Sequence, residues 1–100
     1  MIVIQFQGHT LSNSNRAIAV EYPAITGGRD IIEDAAKMQK KLDTGTLLFM
    51  YVAYRRAGDP EARKLSVDEV MDEVDVYNVD IFTEFVQAIT TLWGEKSKKD

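Results

Sequence analysis

The chain has 100 residues, no cysteine, one histidine and a formal net charge of −4. That length holds one domain with a single modest core, and the missing cysteines exclude a disulfide framework and thiolate chemistry. Zinc coordination, which needs several Cys or His ligands, is excluded by the same counts.

The charge is unevenly spread. Residues 1–56 carry seven Lys/Arg against five Asp/Glu, residues 57–92 two against nine, and the last eight three against two. A segment as acidic as 57–92 repels nucleic acid phosphates and anionic membranes, so the expected partner is another protein. Met1-Ile2-Val3-Ile4-Gln5 lacks the basic region and long apolar stretch of a secretory signal, and the expected location is the cytoplasm.

In chain order, Ile2, Ile4 and Phe6 alternate with Val3, Gln5 and Gln7, the period of a strand with one buried face. Gly8-His9 reads as the turn and Thr10-Leu11-Ser12 as a return strand, giving a hairpin over Ile2–Leu11. Ser12-Asn13-Ser14-Asn15 then caps a short element, Arg16–Tyr22. It reads as a helix ended by Pro23, with a strand as the alternative because Ile18, Val20 and Tyr22 also alternate. After the turn Thr26-Gly27-Gly28, Ile31, Ala35, Met38 and Leu42 fall at helical spacing. Acids stand early (Asp30, Glu33, Asp34) and lysines late (Lys37, Lys40, Lys41), in the order that complements the helix dipole.

Leu47–Tyr54 is the one uninterrupted apolar run, too short for a bilayer, which takes about 20 residues. Its flanks make it a central helix over 46–57: a threonine cap, Arg55 and Arg56 at the C-terminal end, and Gly58 as a left-handed cap. Asp59-Pro60 predicts a short turn. Ser66-Val67-Asp68-Glu69 is a capping box for a short helix with the stripe Val67, Val70, Met71 and Val74. Asn78 caps the last helix, Val79 to Trp93. Its apolar residues form two adjoining rows, Phe82-Val86-Ile89-Trp93 and Ile81-Phe85-Ala88-Leu92, wider than one core contact requires. Residues 94–100 contain no apolar side chain and read as a flexible polar tail behind a single domain, 1–93. The expected class is mainly α with a short N-terminal β-hairpin (α+β), four to five helices packed around the central one.

No reaction chemistry emerges. His9 has no partner in the sequence to make it a base. The acids from Asp68 to Asp80 lack the central glycine and the spacing of a calcium loop. Thr26-Gly27-Gly28-Arg29-Asp30 lacks the lysine of a phosphate loop. No catalytic, cofactor or metal residue is assigned. The wide apolar face of the last helix is either wholly buried by neighbours on two sides or is the candidate partner-binding surface: Ile81, Phe82, Phe85, Ile89, Leu92 and Trp93, with Trp93 the residue most expected at an interface.

This order of elements resembles the small tail assembly chaperones of long-tailed phages and prophages. The resemblance runs through the hairpin, the piece Ala17–Tyr22, the helix Gly27–Leu42, the apolar helix Leu47–Tyr54, the acidic Leu65–Val70 and the final helix Ile81–Leu92. It implies a non-enzymatic chaperone in the host bacterial cytoplasm that binds the tape measure protein and helps recruit tail tube subunits. It also implies a longer frameshifted form joined near Gly94–Asp100. Self-association through the last helix is compatible with this reading. The alternative from charge alone is an acidic mimic of nucleic acid that inhibits a host protein by filling its basic groove.

Overall fold

The computed structural model describes residues 1–94. It opens with β1 (Val3–Phe6) and β2 (His9–Ser12), antiparallel, with Phe6 opposite His9 and Val3 opposite Ser12. The two residues between them, Gln7 and Gly8, have φ of 49° and 80°. Both angles are left-handed, the conformation of a tight hairpin turn whose twist matches that of the strands. The turn is therefore Gln7-Gly8 rather than Gly8-His9, and His9 begins β2. Ile2, Ile4 and Phe6 face inward as the alternation requires, while Val3 is exposed.

Arg16–Tyr22 is helical, not a strand, but Pro23 does not end it. Residues Ala17–Glu21 wind as a wide π turn, in which the Tyr22 N–H reaches back to the Ala17 carbonyl. α1 (Tyr22–Thr26) follows directly with Pro23 in its first turn. A proline clashes with the helix behind it in ordinary α register, whereas the first turn of a new helix needs no donor from it. The π turn supplies that fresh start. Gly27, at φ 75°, closes α1.

α2 (Ile31–Met38) starts at Asp30, whose side chain accepts the Ile32 N–H at 3.0 Å. It stops short of the predicted Leu42, which lies outside the stripe and is exposed. The N–H groups of Lys40 and Lys41 both fold back onto the Lys37 carbonyl and tighten the end.

α3 (Thr44–Gly58) is the central helix, two residues longer at its start and one at its end than the expected 46–57. Met50, Tyr51, Val52 and Ala53 are fully buried, so the helix is enclosed on nearly every side. Gly58 is a helical residue and not a left-handed cap. Its glycine is required by close approach, since a Cβ there would lie 2.7 Å from the Thr10 carbonyl oxygen of β2.

A 3₁₀ turn, Pro60–Lys64, is capped by Asp59. α4 (Val67–Met71) has both bonds of the predicted capping box, Glu69 N–H to Ser66 Oγ at 3.1 Å and Ser66 N–H to Glu69 Oε1 at 2.8 Å. α5 (Val79–Trp93) begins at Asn78, whose side chain accepts the Ile81 N–H.

The class is mainly α with a short N-terminal hairpin, and one continuous hydrophobic cluster joins the elements. At its centre Phe6, Tyr51 and Phe85 form a triangle, each pair edge to face with centroids 5.7, 6.1 and 5.9 Å apart. Hairpin, central helix and last helix meet there. Among the described residues no helix is long and apolar enough to cross a membrane. Of the predicted polar tail only Gly94 is described; Glu95–Asp100 lie outside the described residues.

Candidate protein-binding surfaces

Two part-buried polar clusters occupy places where a reactive site would be sought. The first centres on Arg55, a residue whose position at a helix end reads as a solvated dipole partner but which is only 6% exposed. Its guanidinium grips Glu73 with Nε at 2.8 Å and Nη2 at 3.2 Å, and Asp59 with Nη1 at 3.0 Å. Tyr51 donates its hydroxyl to the same Glu73 carboxylate at 2.7 Å. His9 Nε2 stands 3.7 Å from Glu73 Oε1, so the fold does bring the lone histidine beside a carboxylate. That carboxylate already accepts from Tyr51 and Arg55. The cluster ties β2, α3 and the segment after α4 together and is internally satisfied, the arrangement of a structural clasp.

The second cluster runs Tyr22, Asp34, Arg29, Thr46, Asp43. Tyr22 donates to Asp34 at 2.6 Å, Arg29 Nε to Asp34 at 2.9 Å and Arg29 Nη2 to Thr46 Oγ1 at 3.1 Å. Thr46 in turn donates to Asp43 at 2.6 Å. With Asp30 capping α2 and Asp34 facing Arg29, the Gly27-Gly28 turn presents carboxylates, not an anion cradle. Arg29 also lies 6.0 Å from the Phe49 ring centroid.

These clusters set the pH response. Burial, reinforced by the bonds to Glu73 and Asp34, holds the Tyr51 and Tyr22 hydroxyls well above the ordinary tyrosine range; burial alone does so for Tyr54. The hydroxyl of Thr46 holds Asp43 low, and the Glu61 amide followed by Arg55 holds Asp59 low. A raised tyrosine contributes stability that is complete below its unfolded value of about 10 and lost above it. A lowered aspartate contributes stability that is present above about 3.9 and lost as pH falls through its folded value. Melting temperature followed by circular dichroism should therefore form a plateau between about pH 5 and 9 and fall on both sides. In a Tyr77→Phe background, phenolate absorbance should rise only together with unfolding. Ionisation of the remaining tyrosines near pH 10 in a folded chain would contradict this burial.

The last helix divides the six predicted partner residues. Phe85, Ile89 and Leu92 are 0–1% exposed and belong to the core. Ile81, Phe82 and Trp93 are half-buried at its edges. At 100° per residue, Phe82 and Trp93 share one shoulder of α5 with half-buried Val86 and with Val79, which is 77% exposed. Ile81 and Ala88 form the opposite shoulder. Trp93 is held in place by its Nε1–H, which donates to Met50 Sδ at 3.3 Å. The solvent side of α5 carries Asp80, Thr83, Glu84, Gln87 and Thr91.

Where α5 ends, an open cavity of about 540 Å³ lies between the start of the hairpin, the π turn and α2. Ile2, Ile18, Ile31, Ile32, Leu92 and Trp93 supply most of its apolar wall, with Asn13 and Gln39 as polar contacts. Asn13 fixes the rim: its Oδ1 accepts the Ile2 N–H at 2.6 Å and its Nδ2 donates to the Leu92 carbonyl at 2.8 Å. Sequence reasoning missed this groove. One signal was present, the pair Ile31-Ile32, because adjacent helical positions lie 100° apart and a narrow core contact covers only one. Ile31 is buried and Ile32 is 47% exposed.

At the opposite end of α5 the loop from α4 presents Tyr77, 94% exposed. Its conformation is set by local bonds, Tyr77 N–H to Asp75 Oδ1 at 3.1 Å and Asn78 N–H to the Asp75 carbonyl at 3.2 Å. No family model, no curated protein and no solved structure matches the chain, so functional assignment starts from these surfaces.

Proposed function

We propose that this chain is a non-enzymatic phage tail assembly chaperone, acting in the host bacterial cytoplasm, that binds the tape measure protein and helps bring tail tube subunits to it. The observation that carries the reading is the apolar shoulder of α5: Val79, Phe82, Val86 and Trp93 run the length of a helix whose other face is already packed in the core. A long amphipathic helix of a client lays its own apolar row along such a shoulder, and the acids nearby keep the pair in solution. Buried Phe85, Ile89 and Leu92 hold the shoulder rigid without touching the client.

The nucleic-acid-mimic reading loses support from the same structure. Asp59 and Glu73 are committed to Arg55, Glu61 pairs with Lys64, and Glu69 closes the capping box. Asp68, Asp72, Asp75, Asp80 and Glu84 stay exposed, so only part of the acidic segment is withdrawn from such a partner.

Co-expression with a tape measure protein from an adjacent gene tests the proposal. Wild-type chain should co-purify with it, and binding should persist at high salt because apolar contact is not screened. Phe82→Asp, which introduces a charge at a half-buried position, should weaken binding at least about tenfold, equivalent to about 1.4 kcal/mol, while the chain stays folded. Undiminished binding by a folded Phe82→Asp variant would refute the assignment of this shoulder.

A further inference from the structure

Three tyrosines sit in the core, and two of them are bonded: Tyr22 donates to Asp34 at 2.6 Å and Tyr51 to Glu73 at 2.7 Å. The third, Tyr54, is 3% exposed, yet its hydroxyl has no hydrogen-bond partner among the described residues. Buried phenols nearly always find a partner, because an unpaired one forfeits its bonds to water. Among the described residues Arg56 Nε alone is both sealed from solvent and unpartnered, so the Tyr54 hydroxyl is not sealed. Its opening is the cavity at the end of α5, which Tyr54 lines.

The cavity is built before anything enters it. Met50 stands four residues before Tyr54 on the same face of α3, and its Sδ accepts the Trp93 Nε1–H at 3.3 Å, which fixes the indole as a wall. Asn13 ties Ile2 to the Leu92 carbonyl and so holds two further walls together. Pre-formed walls lose little conformational entropy on binding. The volume, about 540 Å³, falls within the range of small-molecule sites, about 300–1,000 Å³. No side chain that lines it is charged.

We propose that this cavity binds a small uncharged amphiphile, its aliphatic part against the isoleucines and Trp93 and its hydrogen-bonding group on the Tyr54 hydroxyl. The chemistry of the occupant follows from the lining. A hydrocarbon chain is driven from water onto apolar walls. The phenol both donates and accepts, so an alcohol or an amide satisfies it. A carboxylate or an ammonium group would leave water for a site whose lining side chains offer no opposite charge, which is unfavourable. Met1, at the mouth, is 88% exposed, so its ammonium group is screened by water. The inference does not rest on the client reading: Phe82 lies outside the lining, although Trp93 borders both surfaces.

Titration of Trp93 fluorescence is the test, because the chain has one tryptophan and it forms a wall of the cavity. 1-Octanol should move the emission to shorter wavelength and saturate at one molecule per chain. Octanoate, with the same chain length and a charged end, should bind at least tenfold more weakly. Tyr54→Phe keeps the ring and removes only the hydroxyl, and should weaken 1-octanol about fivefold. Its melting temperature should match or exceed that of the wild type, since no bond within the chain is lost. Tyr51→Phe, which gives up the bond to Glu73, should melt lower. Ile32→Glu places an acid in the first turn of α2, where the helix dipole favours it, and should weaken 1-octanol at least tenfold in a folded chain. Phe82→Asp should bind 1-octanol like the wild type, which separates failure of this site from failure of client binding. A response that never saturates would overturn the inference, as would octanoate binding as tightly as 1-octanol. So would undiminished binding by Tyr54→Phe, or a Tyr54→Phe chain that melts as low as Tyr51→Phe.

Discussion

Phe85→Ala should cost about 3–5 kcal/mol of folding stability, the range for truncating a buried aromatic. The size of the effect follows from position. Phe85 is fully buried and meets Phe6 at 6.1 Å and Tyr51 at 5.9 Å, so one ring holds the hairpin, the central helix and α5 to a common point. The cavity left behind lies between three elements whose backbones are fixed by their own hydrogen bonds, and it has little freedom to collapse. Domains of this size hold only about 5–15 kcal/mol in total, and each kcal/mol moves the melting temperature by about 4–8 °C. A thermal melt of Phe85→Ala should therefore fall by well over ten degrees. Phe82→Ala, at a half-buried edge, should fall by much less. Equal losses for the two would contradict the division of α5 into a buried face and an open shoulder.

Glu73→Ala should be comparably damaging for an electrostatic reason. It strips Arg55 of its two-point partner and leaves a guanidinium, itself 6% exposed, with only Asp59. It also orphans the Tyr51 hydroxyl in the core. Removing one member of a buried ion pair typically costs about 3–5 kcal/mol, because the remaining charge stays desolvated. Replacing both members together, as Arg55→Met with Glu73→Leu, should recover much of the loss, since apolar groups of similar volume need no partner. Urea denaturation of the single and double variants measures the difference. A double variant no better than Glu73→Ala would mean that the clasp is required for packing rather than for charge balance.

What was legible in the sequence was local. The capping box at Ser66 and Glu69, the cap at Asn78 and the bounds of α5 all depend on residues within four positions of one another, and all were readable. Pro23 misled because its rule assumes α register upstream, and the π turn that accommodates it has no residue signature. Gln7 at φ 49° was missed because a non-glycine residue rarely takes that angle. Arg55 was misread since its main partner is 18 positions away, and Asn13 was invisible as a clamp because Leu92 is 79 away. For the binding surface, periodicity revealed two apolar rows on α5. It could not tell which would be covered by β1 and α3. That Tyr77 would stand exposed was hidden for the same reason: exposure is a property of the assembled fold.

Whether α5 offers an apolar shoulder to a helical client is measured directly by solubility. A tape measure protein produced alone should sediment with the insoluble fraction. Produced together with this chain it should remain soluble and co-purify, and the Phe82→Asp chain should leave it insoluble. A tape measure protein that stays insoluble beside the wild-type chain, or that is rescued equally by Phe82→Asp, would contradict the account.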